Sequence, residues 1–196
     1  MGLPVHNQSH YSIESYLELE HQTGIKYEYH DGEVYAMAGG TVAHSLIGGN
    51  IVGELRRALK KRACNAYNSD LKIAVNEEKY LYADASVVCG DVAFYEENKD
   101  AAKNPVLIVE VLSESTDSYD RGEKFRKYRQ IATFREYVLI EQRFPFVEVF
   151  FKADEKTWQY RVYEQLDQVV QLSSIEAEIA MSEIYAGLVF AEELLN

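Results

Sequence analysis

Cysteine, proline and tryptophan are scarce: two, three and one in 196 residues. The two cysteines, Cys64 and Cys89, lie far apart and form no CxxC pair. Two lone thiols weigh against a zinc cluster and predict no disulfide framework and a reducing compartment. No Pro/Gly/Ser-rich linker, internal repeat or low-complexity tract interrupts the chain. It reads as one domain over residues 1–196, long enough for a substantial core. No apolar run approaches the length of a membrane span. The opening "MGLPVHNQSHYSIESYLELEHQTG" has no basic region followed by an apolar one, so no signal peptide is expected. Gly2 in "GLPVHN" lacks the Ser/Thr of a myristoylation signal. The expectation is a soluble cytoplasmic protein. Positive charge is also short: 20 Lys+Arg stand against 32 Asp+Glu, a net charge of −12. That argues against general coating of nucleic acid, which needs many cations. A local basic groove remains open.

What is present reads as a mixed fold. Hydrophobic residues make up 47% of the chain, which weighs against disorder. Ser12 can cap a helix from Ile13 to about Gln22, with Gly24 ending it. "IKYEYHDGEVYAM" is a hairpin around Asp31-Gly32, a preferred type I′ dipeptide. Thr41 caps a long helix, roughly Val42 to Arg62, with Ile47, Ile51, Leu55, Ala58 and Leu59 at helical spacing. Gly48, Gly49 and Gly53 lower its propensity and suggest close packing. Strands follow in "CNAYNSDLKIAV", "YLYADASVVCG" and "VLIVEVL", then a charged helix from about Tyr119 to Ile131. "EYVLIEQ" is a further strand, "FVEVFFKA" and "WQYRVYE" pair around "DEKT", and "SEIYAGL" closes as a short helix capped by Ser182. This order favours α/β or α+β with a central mixed β-sheet flanked by helices.

One acid is out of place. Val106 to Leu112 reads as a strand buried on both faces, yet Glu110 lies inside it. A buried carboxylate needs a partner, a metal ion or a raised pKa. Asp84 heads the preceding strand. If the two strands are neighbours, two carboxylates meet at one point of the sheet and suit a hard divalent cation. Such an ion lowers the pKa of a bound water and neutralises phosphate charge. The plainer alternative is that Asp84 caps a turn and Glu110 pairs with a cation. Strand side chains alternate, so Leu112 shares the face of Glu110. A lysine there would complete an acid-x-lysine site. In "DSYDRGEKFRKYRQ", Lys124, Lys127 and Tyr128 share a helix surface, and Lys124 can position water or stabilise charge. A solvated face is the alternative for this lysine-rich helix.

"YADASVV", "PVLIVEVLSEST", "DRGEKFRKYRQ" and the earlier "YEYHDGEVYAMAGGTVAHSLIGGNI" resemble the Uma-type family of restriction endonucleases, within the PD-(D/E)XK nuclease superfamily. The likeness runs from about Tyr27 to Val149. It implies a restriction-endonuclease-like core with an N-terminal β-hairpin and additional C-terminal strands. It also implies a divalent-metal nuclease site. Asp84 matches the motif's aspartate and Glu110 its second acid. Lys124 matches the lysine that the family has moved onto the next helix. The usual proline before the aspartate is Ala83 here, and Leu112 stands where the wider superfamily has lysine. On this resemblance, Asp84, Glu110 and the carbonyl of Val111 hold Mg2+ or Mn2+, and Lys124 orients or activates water.

Secondary candidates follow. By resemblance Glu28 approaches the site as a further acid; an exposed hairpin acid is the alternative. His44 in "TVAHS" matches a family histidine and can contact a phosphate or orient an acid; a structural role near a helix start is equally plain. Asp70 can support the metal shell or serve a turn. Arg56, Arg57, Lys60, Lys61 and Arg62 suit the helix dipole. Four of them, Arg56, Arg57, Lys60 and Lys61, together with Lys127, are the candidates for phosphate-backbone contacts. No helix-turn-helix, zinc finger, phosphate loop or Ser-His-Asp arrangement appears. The expected activity is hydrolysis of phosphodiesters, in DNA, by a metal-dependent endonuclease. The rival is a catalytically silent nuclease-fold protein acting in binding or assembly. A third reading is metal-dependent chemistry on a small phosphorylated substrate. The 15 tyrosines and the apolar hairpins also suit a homodimer face.

Overall fold

A computed structural model describes residues 10–37, 39–96 and 98–190. Gly2 and its surroundings lie outside them. Helix α1 (Ile13–Thr23) starts where Ser12 accepts a hydrogen bond from the Ser15 amide and ends at Gly24, φ +65°. Strands β1 (Tyr27–His30) and β2 (Glu33–Ala36) pair antiparallel. Asp31 and Gly32 between them both have positive φ, 50° and 95°, as a type I′ turn requires. Helix α2 (Val42–Leu59) is capped by the Thr41 side chain and stops three residues before the expected Arg62. Only Arg56 and Arg57 therefore lie in its last turn.

"CNAYNSDLKIAV" is two strands, β3 (Cys64–Asn68) and β4 (Lys72–Asn76). "YLYADASVVCG" likewise divides into β5 (Lys79–Tyr82) and β6 (Ala85–Cys89). Both breaks have one cause: the chain crosses between two sheets. With β7 (Ala101–Ala102), one sheet runs β2-β1-β5-β4-β7. The remaining elements are β8 (Pro105–Leu112), a helical segment α3 over residues 117–128, β9 (Glu136–Glu141), β10 (Val147–Lys152) and β11 (Trp158–Tyr163). The second sheet runs β11-β10-β9-β8-β6-β3, with β8 and β9 parallel and the other pairs antiparallel. Asp84 lies in the crossing from β5 to β6, where the sheets meet.

Strand alternation sorts the core. Leu107, Val109 and Val111 of β8 pack with Ile47, Ile51 and Leu55 of α2. Ile108 and Leu112 face the other way, with Tyr128, Phe134 and Tyr137. Leu112 is thus a core residue, and its apolar surroundings explain why no lysine stands there. A hairpin that sequence periodicity missed, β12 (Val169–Leu172) with β13 (Ala177–Ala180), covers the α2 side. It leads into α4 (Met181–Ile184), whose cap position is Ala180, so Ser182 lies inside the helix.

Two further expectations are corrected. Cys64 and Cys89 are directly opposed in the β3–β6 pair and are joined as a disulfide. Cross-strand register closes a separation of 25 residues that reads as distance along the sequence. The reducing compartment inferred from lone thiols loses its basis. Nothing lies within 4 Å of a Cβ built on Gly48, Gly49 or Gly53, so these glycines open a surface rather than permit close packing. Tyr27 and Tyr29 are buried with Tyr16 of α1 and Tyr80.

Leu55 is fully buried between α2 and the six-stranded sheet. Leu55→Ala is expected to cost about 2–5 kcal/mol of stability. The check is a lower urea midpoint with an unchanged slope.

Candidate active site

The β6–β8 register pairs Ala85 with Val109, so one further step sets Asp84 opposite Glu110. The Val111 amide donates to Asp84 Oδ2 at 2.7 Å. His44, in the first turn of α2, places Nε2 3.3 Å from the same oxygen. Its pKa is raised, first by the Asp84 hydrogen bond and then, against the effect of burial, by the Asp84 charge and a backbone hydrogen bond with Val111. A Cβ on Gly40 would lie 2.7 Å from the His44 ring, so only glycine leaves that ring its place.

Lys124 reaches the acids through an irregularity in α3. The segment opens as α-helix, widens into a π turn over Asp120–Lys124 and resumes as Phe125–Tyr128. Such wider turns recur at functional sites because they re-aim side chains. Lys124 Nζ lies 2.9 Å from Glu110, 3.6 Å from Glu28 and 3.6 Å from Asp120. All four side chains are buried. Burial opposes charge on Lys124, but three carboxylates outweigh it and hold the ammonium charged, its pKa well above the usual value. Burial pushes Glu110 up; Asp120 and Asp84 add to that, while Lys124 pulls the other way. Asp120 is also raised by burial. Tyr128 donates to Glu110 Oε1 at 2.9 Å.

Glu28 comes from the other sheet. Alternation along β1 sends Tyr27 and Tyr29 to α1, and Glu28 and His30 to this cluster. Tyr119 donates to Glu28 at 3.1 Å, and His30 Nε2 lies 3.3 Å from the same carboxylate. Burial alone would raise Glu28, yet Lys124, His30 and Tyr119 together lower it to about 2. Lys127 is buried, 2.9 Å from Glu123, and donates to Tyr119. It is not available as a surface phosphate contact.

Glu28, His44, Asp84, Glu110, Val111 and Lys124 line an open cavity of about 610 Å3. Asp70 is not part of it; exposed, it pairs with Lys26 at 2.5 Å and accepts from Asn68 in the turn after β3. Arg57 is paired with Glu54, and Arg56 donates to the Ala66 carbonyl. Lys60 and Lys61 lie exposed beyond the helix end, with Lys60 beside a separate surface depression. Asp120, Tyr119 and His30 were not singled out from sequence. The spacing of Asp120 and Lys124, four apart, was the available signal for the first.

Among the described residues, no group of three or more His, Cys, Asp or Glu side chains is arranged to hold a metal ion. The donors at hand are two carboxylates and a backbone oxygen. They are hard, and burial pushes Glu110 and Asp120 toward protonation. A hard divalent cation fits such a set.

The profile of the Uma2 family, described as "putative restriction endonuclease", matches residues 13–182. The chain is 37% identical over 180 residues to "Uncharacterized protein slr1290" of Synechocystis sp., covering 91% of this chain and 93% of that one. It is 33% identical over 144 residues to sll1609 of the same organism, covering 73% and 81%. A crystal structure described as "a putative nuclease belonging to DUF820", from Anabaena variabilis, superposes with TM-score 0.71 at 16% identity, covering 90% of this chain and 98% of that one. That likeness shows a shared fold. Among the described residues, no helix is long and apolar enough to cross a membrane.

Two stability measurements probe the cluster. Lys124→Met leaves three buried carboxylates without their cation and is expected to cost about 3–5 kcal/mol near neutral pH. The deficit should shrink on acidification, as the carboxyls take up protons. Glu28 is lowered from 4.5 to about 2, so its contribution is complete above pH 4.5 and lost as pH falls through about 2. That shift corresponds to about 3 kcal/mol. The stability difference between wild type and Glu28→Gln should narrow across that window in acid titrations of urea unfolding.

Proposed function

The chain belongs to the Uma2 family, and from that premise we propose that it is a metal-dependent endonuclease that hydrolyses phosphodiesters in DNA. The observation that carries the reading is the 2.9 Å approach of Lys124 to Glu110. An ammonium from α3 stands beside the second acid, while Leu112 fills the core.

Asp84, Glu110 and the Val111 carbonyl are the proposed holders of Mg2+ or Mn2+. Such an ion would neutralise phosphate charge and lower the pKa of a bound water. The protein supplies the rest. Lys124 stays protonated, so it serves as a hydrogen-bond donor that orients water and offsets negative charge, not as a proton acceptor. Glu28 and Asp120 hold the ammonium in place from two other directions. Tyr128 fixes the Glu110 carboxylate. His44 fixes Asp84 and lies close enough to the cavity to meet a phosphate oxygen.

The test is cleavage of varied DNA and RNA substrates with Mg2+ or Mn2+. Wild type is expected to cleave; Asp84→Ala and Lys124→Ala should each lose about 100-fold or more. No cleavage of any substrate, or full activity in both variants, would overturn the assignment. Mn2+ binding that is unaffected by loss of Asp84 and Glu110 would favour a silent binding or assembly protein.

A further inference from the structure

An acidic enzyme that acts on a polyanion gains little from general charge attraction. With a net charge of −12, uncharged contacts must supply much of the affinity. One rim of the cavity is built for such a contact. Between β9 and β10 the chain makes a tight turn, and Gln142 and Arg143 of this turn line the cavity. The next residue, Phe144, is 48% exposed. The other strongly exposed aromatics, Phe94 and Tyr160, do not adjoin cavity-lining positions in the chain.

The turn is held from several sides. The Glu141 amide donates to the Phe146 carbonyl at 3.0 Å and closes its base. The Tyr185 hydroxyl accepts from the Phe146 amide at 3.0 Å and lies 2.9 Å from the Glu141 carbonyl. Gln142 donates to the Leu112 carbonyl at 2.8 Å, at the end of the strand that carries Glu110, and accepts from Thr41. The Arg143 guanidinium is gripped by the buried Glu141 carboxylate through Nε at 2.9 Å and Nη2 at 2.8 Å. It lies 5.9 Å from the Phe144 ring centre. Phe146 supports the Phe144 ring edge-on, centres 6.0 Å apart. A planar cation that lines the cavity and the exposed ring next to it in the chain are thus held together before any ligand arrives, which lowers the ordering cost of binding.

Exposed aromatic rings and arginine planes stack on unpaired bases, whatever the base. We propose that Arg143 and Phe144 form a stacking platform for one unpaired nucleobase of the strand whose phosphodiester enters the cavity. The proposal rests on the nuclease reading above. It adds a substrate form: a strand that is single, or locally unpaired, next to the cleaved bond. A base inside a duplex must first leave the stack, at a cost.

The experiment measures binding of a labelled, short single-stranded DNA by fluorescence anisotropy, with Ca2+ in place of Mg2+. Phe144→Ala should weaken binding about tenfold, while Phe144→Trp should keep it. Replacing single bases by abasic sites should find one position where wild type loses about tenfold and Phe144→Ala loses nothing further. Phe144 is exposed, so circular dichroism should show both variants folded. Equal affinity of Phe144→Ala and wild type, or no position that couples to Phe144, overturns the platform while leaving the nuclease reading intact. Wild type that neither binds nor cleaves any strand overturns the nuclease reading, and the platform with it.

Discussion

A single ammonium, Lys124 Nζ, stands among three buried carboxylates, from Glu28, Glu110 and Asp120. Without it, like charges would face one another in a dry interior, where repulsion is least screened. Each acid comes from a different part of the fold: one sheet, the other sheet and α3. The ammonium therefore joins the elements whose meeting makes the cavity. Breaking such a pair by removing one partner is more costly than never having built it. That asymmetry ties the stability of this region to its proposed chemistry.

Glu110 and Asp120 are both raised by burial, despite Lys124. Asp84 takes the Val111 amide and the His44 ring as partners. One cation thus holds the centre, and Asp84 and Glu110 both line an open cavity. The α2 N-terminus and the β9–β10 turn both line the cavity and are joined where Thr41 donates to Gln142. Both are fixed to β8, through His44 beside Asp84 and through Gln142 on the Leu112 carbonyl.

Much of this was legible in the sequence because it is local. Alternation along "VLIVEVL" put Glu110 on a buried face, and adjacency of strands brought Asp84 toward it. Capping by Ser12 and Thr41 and the Asp31-Gly32 turn followed from side-chain chemistry. What was hidden depends on contacts between distant segments. The crossing between sheets splits two apparent strands, and no period in the sequence marks it. The pairing of Cys64 with Cys89 is a matter of cross-strand register. The π turn that aims Lys124 carries no composition signal beyond Gly122. Glu28 was ambiguous because burial on β1 depends on the second sheet. Arg143 and Phe144 read as ordinary loop residues until Glu141, Gln142 and Tyr185 are seen to hold them.

Asp84, Glu110 and the Val111 carbonyl are proposed to form one cation site beside Lys124. A crystal structure grown with Mn2+, read by its anomalous signal, tests this most directly. The account predicts one ion on those three groups, with Lys124 Nζ still against Glu110 and facing the cavity. Saturating Mn2+ that leaves this place empty, or that binds only elsewhere on the protein, would contradict it.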